Sequence, residues 1–227
     1  GAAVSHHPGM VHPDGGFRFA WDMIGITAIV YQSFVVPLQL SFGIEVTFVL
    51  LEAISVLFDS YFLVDILVSF RSGYLNKGVL VMDPSTVALH YIRSWLLVDC
   101  VASVPWDWIS VSPDLKAFAM VRLFRLARLL RLARLKAMMA KVEDRVDSEA
   151  VVLGLALCKL FVVLLMTAHW VACVWWAIGH FAQAHGDDSW IEAEGVLAAP
   201  LNTRYMAAMF YAISIFATMY GDIGATN

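Results

Sequence analysis

Charge is scarce in this sequence. Only 15% of its 227 residues are Asp, Glu, Lys or Arg, against 60% hydrophobic. A soluble domain carries roughly 25% charged residues. A soluble core of this length could not hide so much apolar surface, and the mean hydropathy is +0.73. The chain therefore reads as an integral membrane protein. Cysteine is scarce as well. Cys100, Cys158 and Cys173 each lie inside an apolar run, which argues for buried thiols and against a disulfide framework. A cleavable signal pattern is missing, because the first apolar run is too long and follows Pro13, Gly15 and Gly16. Internal repeats and low-complexity tracts are missing too. No paired catalytic carboxylates, metal-ligand spacing or phosphate-binding glycine loop supports an enzyme, and His6-His7 is assigned no metal. A net charge of −4 argues against a nucleic-acid partner.

What is present is a ladder. Arginine stands at 122, 125, 128, 131 and 134, every third position, with only apolar residues between. An arginine near a bilayer centre costs roughly 2.5 kcal/mol or more on insertion scales, so such a helix needs compensating acids. Moving one charge across 100 mV is worth about 2.3 kcal/mol, which gives these arginines a use as voltage sensors. An interfacial amphipathic helix is the competing reading, with its basic residues on one face. Three-residue spacing does not provide one face: at 100° per residue the arginines sweep about 240° of an α-helix. Only a 3₁₀ stretch would stack them in one line. The ladder alone leaves both readings open.

The rest of the chain weighs between them. Met23 to Ile44 carries no charge and is long enough to cross a bilayer, with Pro37 near its far end. A second span, about Glu45 to Phe70, carries Glu52, Asp59 and Asp65. With Phe62 these acids fall within an arc of roughly 140°, one face of a helix. Residues 71–92 read as a loop, and a third span from Tyr91 to about Ile109 contains Asp99 and Pro105. Counted by helical rise, Asp65 and Asp99 reach similar depths, about 9 and 12 Å from the same end. They would form a pair in which an arginine rests, with Phe62 one turn outward closing it from external water. The arginine helix is expected over Ser112–Lys136, and a fifth span over Ala150–Phe181. The 182–203 loop holds Asp187, Asp188, Glu192 and Glu194 without Lys or Arg, an acidic mouth or an ordinary solvated loop. Residues 205–220 are uncharged but short, which fits a re-entrant segment ending in Thr218-Met-Tyr-Gly-Asp222. Arg71, Lys77 and Arg93 against Asp83 make the 71–93 loop cytoplasmic, and the N-terminal arm with it.

These residues match a family. Val11-His-Pro-Asp14, Phe17-Arg18, Trp21-Asp22, Asp59-Ser-Tyr-Phe-Leu-Val-Asp65 and Phe70-Arg-Ser-Gly-Tyr74 resemble channels that carry a cyclic-nucleotide-binding domain. So do Val81-Met-Asp-Pro84, Tyr91-Ile-Arg-Ser-Trp95, Ser103-Val-Pro105, the arginine ladder, His169-Trp-Val-Ala-Cys-Val-Trp175 and Tyr205–Ile223. That superfamily holds the ether-à-go-go, hyperpolarisation-activated, plant Shaker-type and cyclic-nucleotide-gated channels. The resemblance implies a sixth, pore-lining helix after Asn227, and a nucleotide-binding domain through which a cyclic nucleotide would act. No cofactor is expected within these residues. His169 reads as a satisfied core histidine. The family's potassium filter is Thr-Val-Gly-Tyr-Gly-Asp, and this one is a residue shorter and lacks the first glycine.

The expected architecture is all-α and multi-pass, with a cytoplasmic arm (1–16), a four-helix voltage sensor (17–136), a linker (137–149) and part of a pore domain (150–227). Arg122, Arg125, Arg128, Arg131 and Arg134 are the expected gating charges, and Asp59, Phe62, Asp65 and Asp99 their counter-charges and transfer site. Thr218, Met219, Tyr220, Gly221 and Asp222 are the expected filter. The expected function is a voltage-gated cation channel subunit, homotetrameric, in a lipid bilayer, passing monovalent cations with potassium foremost. The alternative is a voltage-sensing or structural membrane subunit with a non-conducting pore.

Overall fold

The computed structural model describes residues 9–43, 49–76, 78–103 and 125–218. Helix α1 spans Gly16–Phe42 and α2 spans Val49–Phe70. A short antiparallel hairpin follows, β1 (Tyr74–Asn76) on β2 (Val79–Val81), with Tyr74 opposite Val81. Then come α3 (Pro84–Ser94) and α4 (Leu96–Ser103). A 3₁₀ helix over Arg125–Arg131 runs directly into α5 (Leu132–Glu143). The chain continues through α6 (Glu149–Ala184), the single turn α7 (Trp190–Ala193) and α8 (Leu201–Thr218).

Several of these bounds differ from the sequence reading, for local reasons. The 71–92 stretch is not a plain loop. Asp83 caps α3, its carboxylate accepting from the Thr86 amide at 2.9 Å and the Thr86 hydroxyl at 2.7 Å, and Pro84 starts the helix. The third helical run thus begins well before Tyr91 and is interrupted at Trp95. The expected 137–149 linker is helical through Glu143, since nothing between Lys136 and Glu143 breaks a helix. The short uncharged run is part of an 18-residue helix, which starts directly after Pro200.

The chain forms two compact units, Gly1–Gln32 with Phe48–Val142, and Ser33–Thr47 with Glu143–Asn227. The division falls inside α1. In the first unit Ala28, Ile29, Tyr61, Phe62 and Met138 make the buried core. In the second, Phe42, Ala168, Ala172, Cys173, Trp176, Trp190, Ile191, Ala208 and Ala212 do so.

Pro37 organises the second unit. A proline has no amide hydrogen, so it cannot donate to the carbonyl four residues earlier as a helical residue would. That carbonyl belongs to Ser33, and it accepts from Trp170 Nε1 at 2.9 Å. The neighbouring Phe34 carbonyl takes His169 Nε2 at 2.9 Å, and Nδ1 of the same ring lies 2.9 Å from the Tyr205 hydroxyl. A nitrogen facing a carbonyl must carry the proton, so Nε2 donates to Phe34, and in a neutral ring Nδ1 accepts from the tyrosine. His169 is a neutral, satisfied core residue, and among the described residues no cluster suits a metal. Gly179 packs where a Cβ would strike the Trp190 indole, and Ser189 Oγ donates to the Gly179 carbonyl at 2.7 Å.

Gly16–Phe42, Ala53–Phe70 and Glu149–Ala184 are long and apolar enough to cross a membrane. Their outward faces are apolar too, with Leu57, Leu63 and Leu67 exposed on α2 and Leu153, Leu157, Phe161 and Leu164 on α6. Water would not tolerate a contiguous apolar surface of that extent, whereas lipid does.

Candidate functional site

The first unit buries a column of charges. The 3₁₀ geometry, with three residues per turn, puts positions 125, 128 and 131 in one line. At Leu132 the backbone returns to the α form, which carries Arg134 onward. Stacking the ladder this way lets successive guanidinium groups meet one column of acids instead of sweeping around the helix.

Arg128, Arg131 and Arg134 each have a distinct seat. Arg128 Nη2 lies 3.2 Å from Asp59 Oδ2. Arg131 is only 2% exposed. Its Nη1 donates to Gln32 Oε1 at 2.7 Å, and its Nη2 to the Ala102 carbonyl at 2.8 Å and Ser103 Oγ at 3.1 Å. The guanidinium carbon stands 3.7 Å over the Phe62 ring, a cation–π contact in a desolvated place. Arg134 Nη1 donates to Asp65 Oδ2 at 2.8 Å, and Nη2 to the Asp99 carboxylate. The acids are held in turn. Tyr91 donates its hydroxyl to Asp99, and Trp21 Nε1 donates to Asp65 Oδ1 at 2.9 Å.

A second cluster lies at the start of α1. Arg18 Nε is 2.8 Å from Asp22 Oδ1, and Lys141 Nζ on α5 is 2.9 Å from Asp22 Oδ2. Arg18 also comes within 3.4 Å of Asp65. Cations from α1, the 3₁₀ turn and α5 thus meet carboxylates in one unit, Asp22, Asp65 and Asp99 being at most 5% exposed. Removing one partner of a buried pair typically costs about 3–5 kcal/mol, because the other charge is left uncompensated. The column is therefore stable only while arginines and acids remain in step.

The structure brings Asp59, Phe62, Asp65, Asp99, Arg128, Arg131 and Arg134 together. Arg125 opens the 3₁₀ turn, and Thr218 ends α8. Arg122, the outer part of the third span from residue 104 with Pro105, and Met219, Tyr220, Gly221 and Asp222 lie outside the described residues. So do Glu45 and Lys77, and the Glu52 side chain. Sequence reasoning missed Gln32, Tyr91, Ser103 and Lys141, and gave Arg18, Trp21 and Asp22 no role. For Arg18 and Asp22 a signal existed: opposite charges four residues apart where an uncharged span begins. Gln32 carries no such signal.

The family described as ion transport protein matches residues 18–227. The potassium voltage-gated channel unc-103 of Caenorhabditis elegans is 29% identical across 98% of this chain and 29% of its own length. The voltage-gated inwardly rectifying potassium channel KCNH2 of Rattus norvegicus is 27% identical across 91% of this chain and 19% of its own. The human potassium/sodium hyperpolarization-activated cyclic nucleotide-gated channel 1 is 32% identical across 44% of this chain and 12% of its own. The chain spans less than a third of the length of these relatives. A match over so much of the sequence, together with apolar spans and a column of buried charge, means that this multi-pass membrane chain belongs to the ion transport protein family.

Proposed function

We propose that the chain is the voltage-sensing and partial pore-forming segment of a voltage-gated cation channel subunit, with potassium as the principal permeant ion. The observation that carries this is the arginine column seated on Asp59, Phe62, Asp65 and Asp99. Arg122, Arg125, Arg128, Arg131 and Arg134 are the gating charges in this reading. Three of them crossing the field would do about 7 kcal/mol of work per 100 mV.

The 71–93 connection and the N-terminal arm are cytoplasmic in this reading, on the strength of Arg71, Lys77 and Arg93. Asp65 and Asp99 then form the inner acid pair. Arg134, last in the ladder, occupies it, with Arg131 and Arg128 further outward. That is the arrangement favoured when the cell interior becomes positive.

Four copies of the subunit surround one pore in this reading. Thr218, Met219, Tyr220, Gly221 and Asp222 are the selectivity filter in this reading. Cyclic-nucleotide control, which the name of the human relative carries, would act through a nucleotide-binding domain outside residues 1–227. The shortened filter supports a second reading, a voltage-sensing subunit whose pore does not conduct.

Voltage clamp under bi-ionic potassium and sodium tests both. With potassium inside and sodium outside, voltage-dependent currents that reverse at strongly negative potentials support the first reading. Gating currents without ionic current favour the second.

A further inference from the structure

Gln32 is an uncharged side chain built into the charge column, and we infer that it is a positioning residue that holds Arg131 in the outward sensor state. This rests on the voltage-sensing reading above. Gln32 lies on α1, is 4% exposed and uses both ends of its amide. Oε1 accepts from Arg131 Nη1 at 2.7 Å, and Nε2 donates to Asp59 Oδ1 at 3.2 Å.

Arg131 differs from its neighbour in the ladder. Arg134 touches two carboxylates directly. Arg131 meets Asp59 only at 3.9 Å, beyond hydrogen-bond reach. Its hydrogen bonds go instead to the neutral oxygens of Gln32, Ala102 and Ser103. The amide of Gln32 completes a chain from Arg131 through Asp59 to Arg128, its oxygen turned to the guanidinium and its NH2 to the acid. A buried guanidinium nitrogen deprived of its acceptor loses a charge-assisted hydrogen bond.

The contribution is tied to one state. When the ladder moves inward by a step, Arg131 leaves Phe62 and approaches the Asp65–Asp99 pair. Gln32 stays on α1. A group that favours one of two states shifts the balance by its differential interaction only. Gln32 therefore sets where on the voltage axis the sensor moves, without adding gating charge.

The test is the charge–voltage curve from gating currents of the protein in oocyte membranes. Gln32→Met keeps the length and volume of the side chain and removes the amide. We expect about a tenfold fall in the outward-to-inward ratio at fixed voltage. Over three moving charges that is a positive midpoint shift of about 20 mV, with total charge unchanged. In an Arg131→Leu background at least half of that change in ratio, read as midpoint shift times charge moved, should vanish, because the partner is gone. A role in packing α1 alone would give the same change in the outward-to-inward ratio in both backgrounds, hence a larger shift where Arg131 no longer moves, and that result overturns the inference. So does an unmoved midpoint for Gln32→Met. If the wild-type protein moves no charge with voltage, the voltage-sensing reading itself fails and this inference with it.

Discussion

Arg134 is the residue whose loss should move the sensor furthest. It touches two buried carboxylates, Asp65 and Asp99, which are 3% and 5% exposed. In Arg134→Gln the outward state leaves that pair without the arginine. After an inward step Arg131 would fill it, so the inward state is spared. The perturbation is therefore almost wholly differential, unlike an acid substitution, which would weaken every state in which some arginine visits the site. Taking the lower end of the cost of breaking a buried pair, about 3 kcal/mol, the outward state is disfavoured by that amount. Three moving charges convert about 7 kcal/mol per 100 mV, so the midpoint should shift by about 45 mV in the positive direction. Arg134→Lys retains one charge and one contact at a time and should shift it by less. The assay is the midpoint of the charge–voltage curve from gating currents. A negative shift, or a lysine variant displaced as far as the glutamine variant, would refute the assignment of Arg134 to the inner pair.

Three further outcomes follow from packing, each read as thermal stability of the detergent-purified protein. Trp170→Phe removes the bond to the Ser33 carbonyl and should cost about 1 kcal/mol. In a Pro37→Ala background, where a helical amide competes for that carbonyl, the same change should cost less. Equal costs in both backgrounds would contradict the role given to Pro37. Gly179→Ala forces a methyl against Trp190 and should destabilise by about 1–3 kcal/mol, whereas a neutral result would mean that the packing there is loose. Asp83→Ala removes the cap of α3 and should cost about 1 kcal/mol, with Asp83→Asn retaining most of the stability.

How much of this is legible in the sequence depends on whether a residue announces itself by charge. The ladder does so, because arginine at every third place in an apolar run has few uses. Asp65 and Asp99 both contact Arg134, as the count of helical rise expects, although that count starts the third span at Tyr91 and the run begins at Pro84 and breaks at Trp95. The 3₁₀ form of Arg125–Arg131 is legible only as a condition for stacking. Residue preferences scarcely distinguish it from an α-helix, and the neighbours that hold it lie far along the chain. Gln32 is invisible, since a lone amide in an uncharged helix looks like any polar residue until Arg131 is placed 2.7 Å away. Lys141 reads as part of a linker because charges cluster around it, although no residue there stops the helix. The cap formed by Asp83 and Pro84 is readable from local chemistry, yet it enters the sequence reading only through a resemblance.

That the buried arginines respond to membrane voltage is the central claim. The most direct measurement is the charge moved per subunit in gating-current recordings, for the native protein and for the Arg128→Gln, Arg131→Gln double variant. Arg131 lies over Phe62 and Arg128 on Asp59, so in the proposed reading both stand on the part of the ladder that passes the ring. Voltage sensing by this column predicts a charge–voltage curve of clearly lower slope in the double variant, with less total charge per subunit. An unchanged slope and unchanged total charge would contradict it.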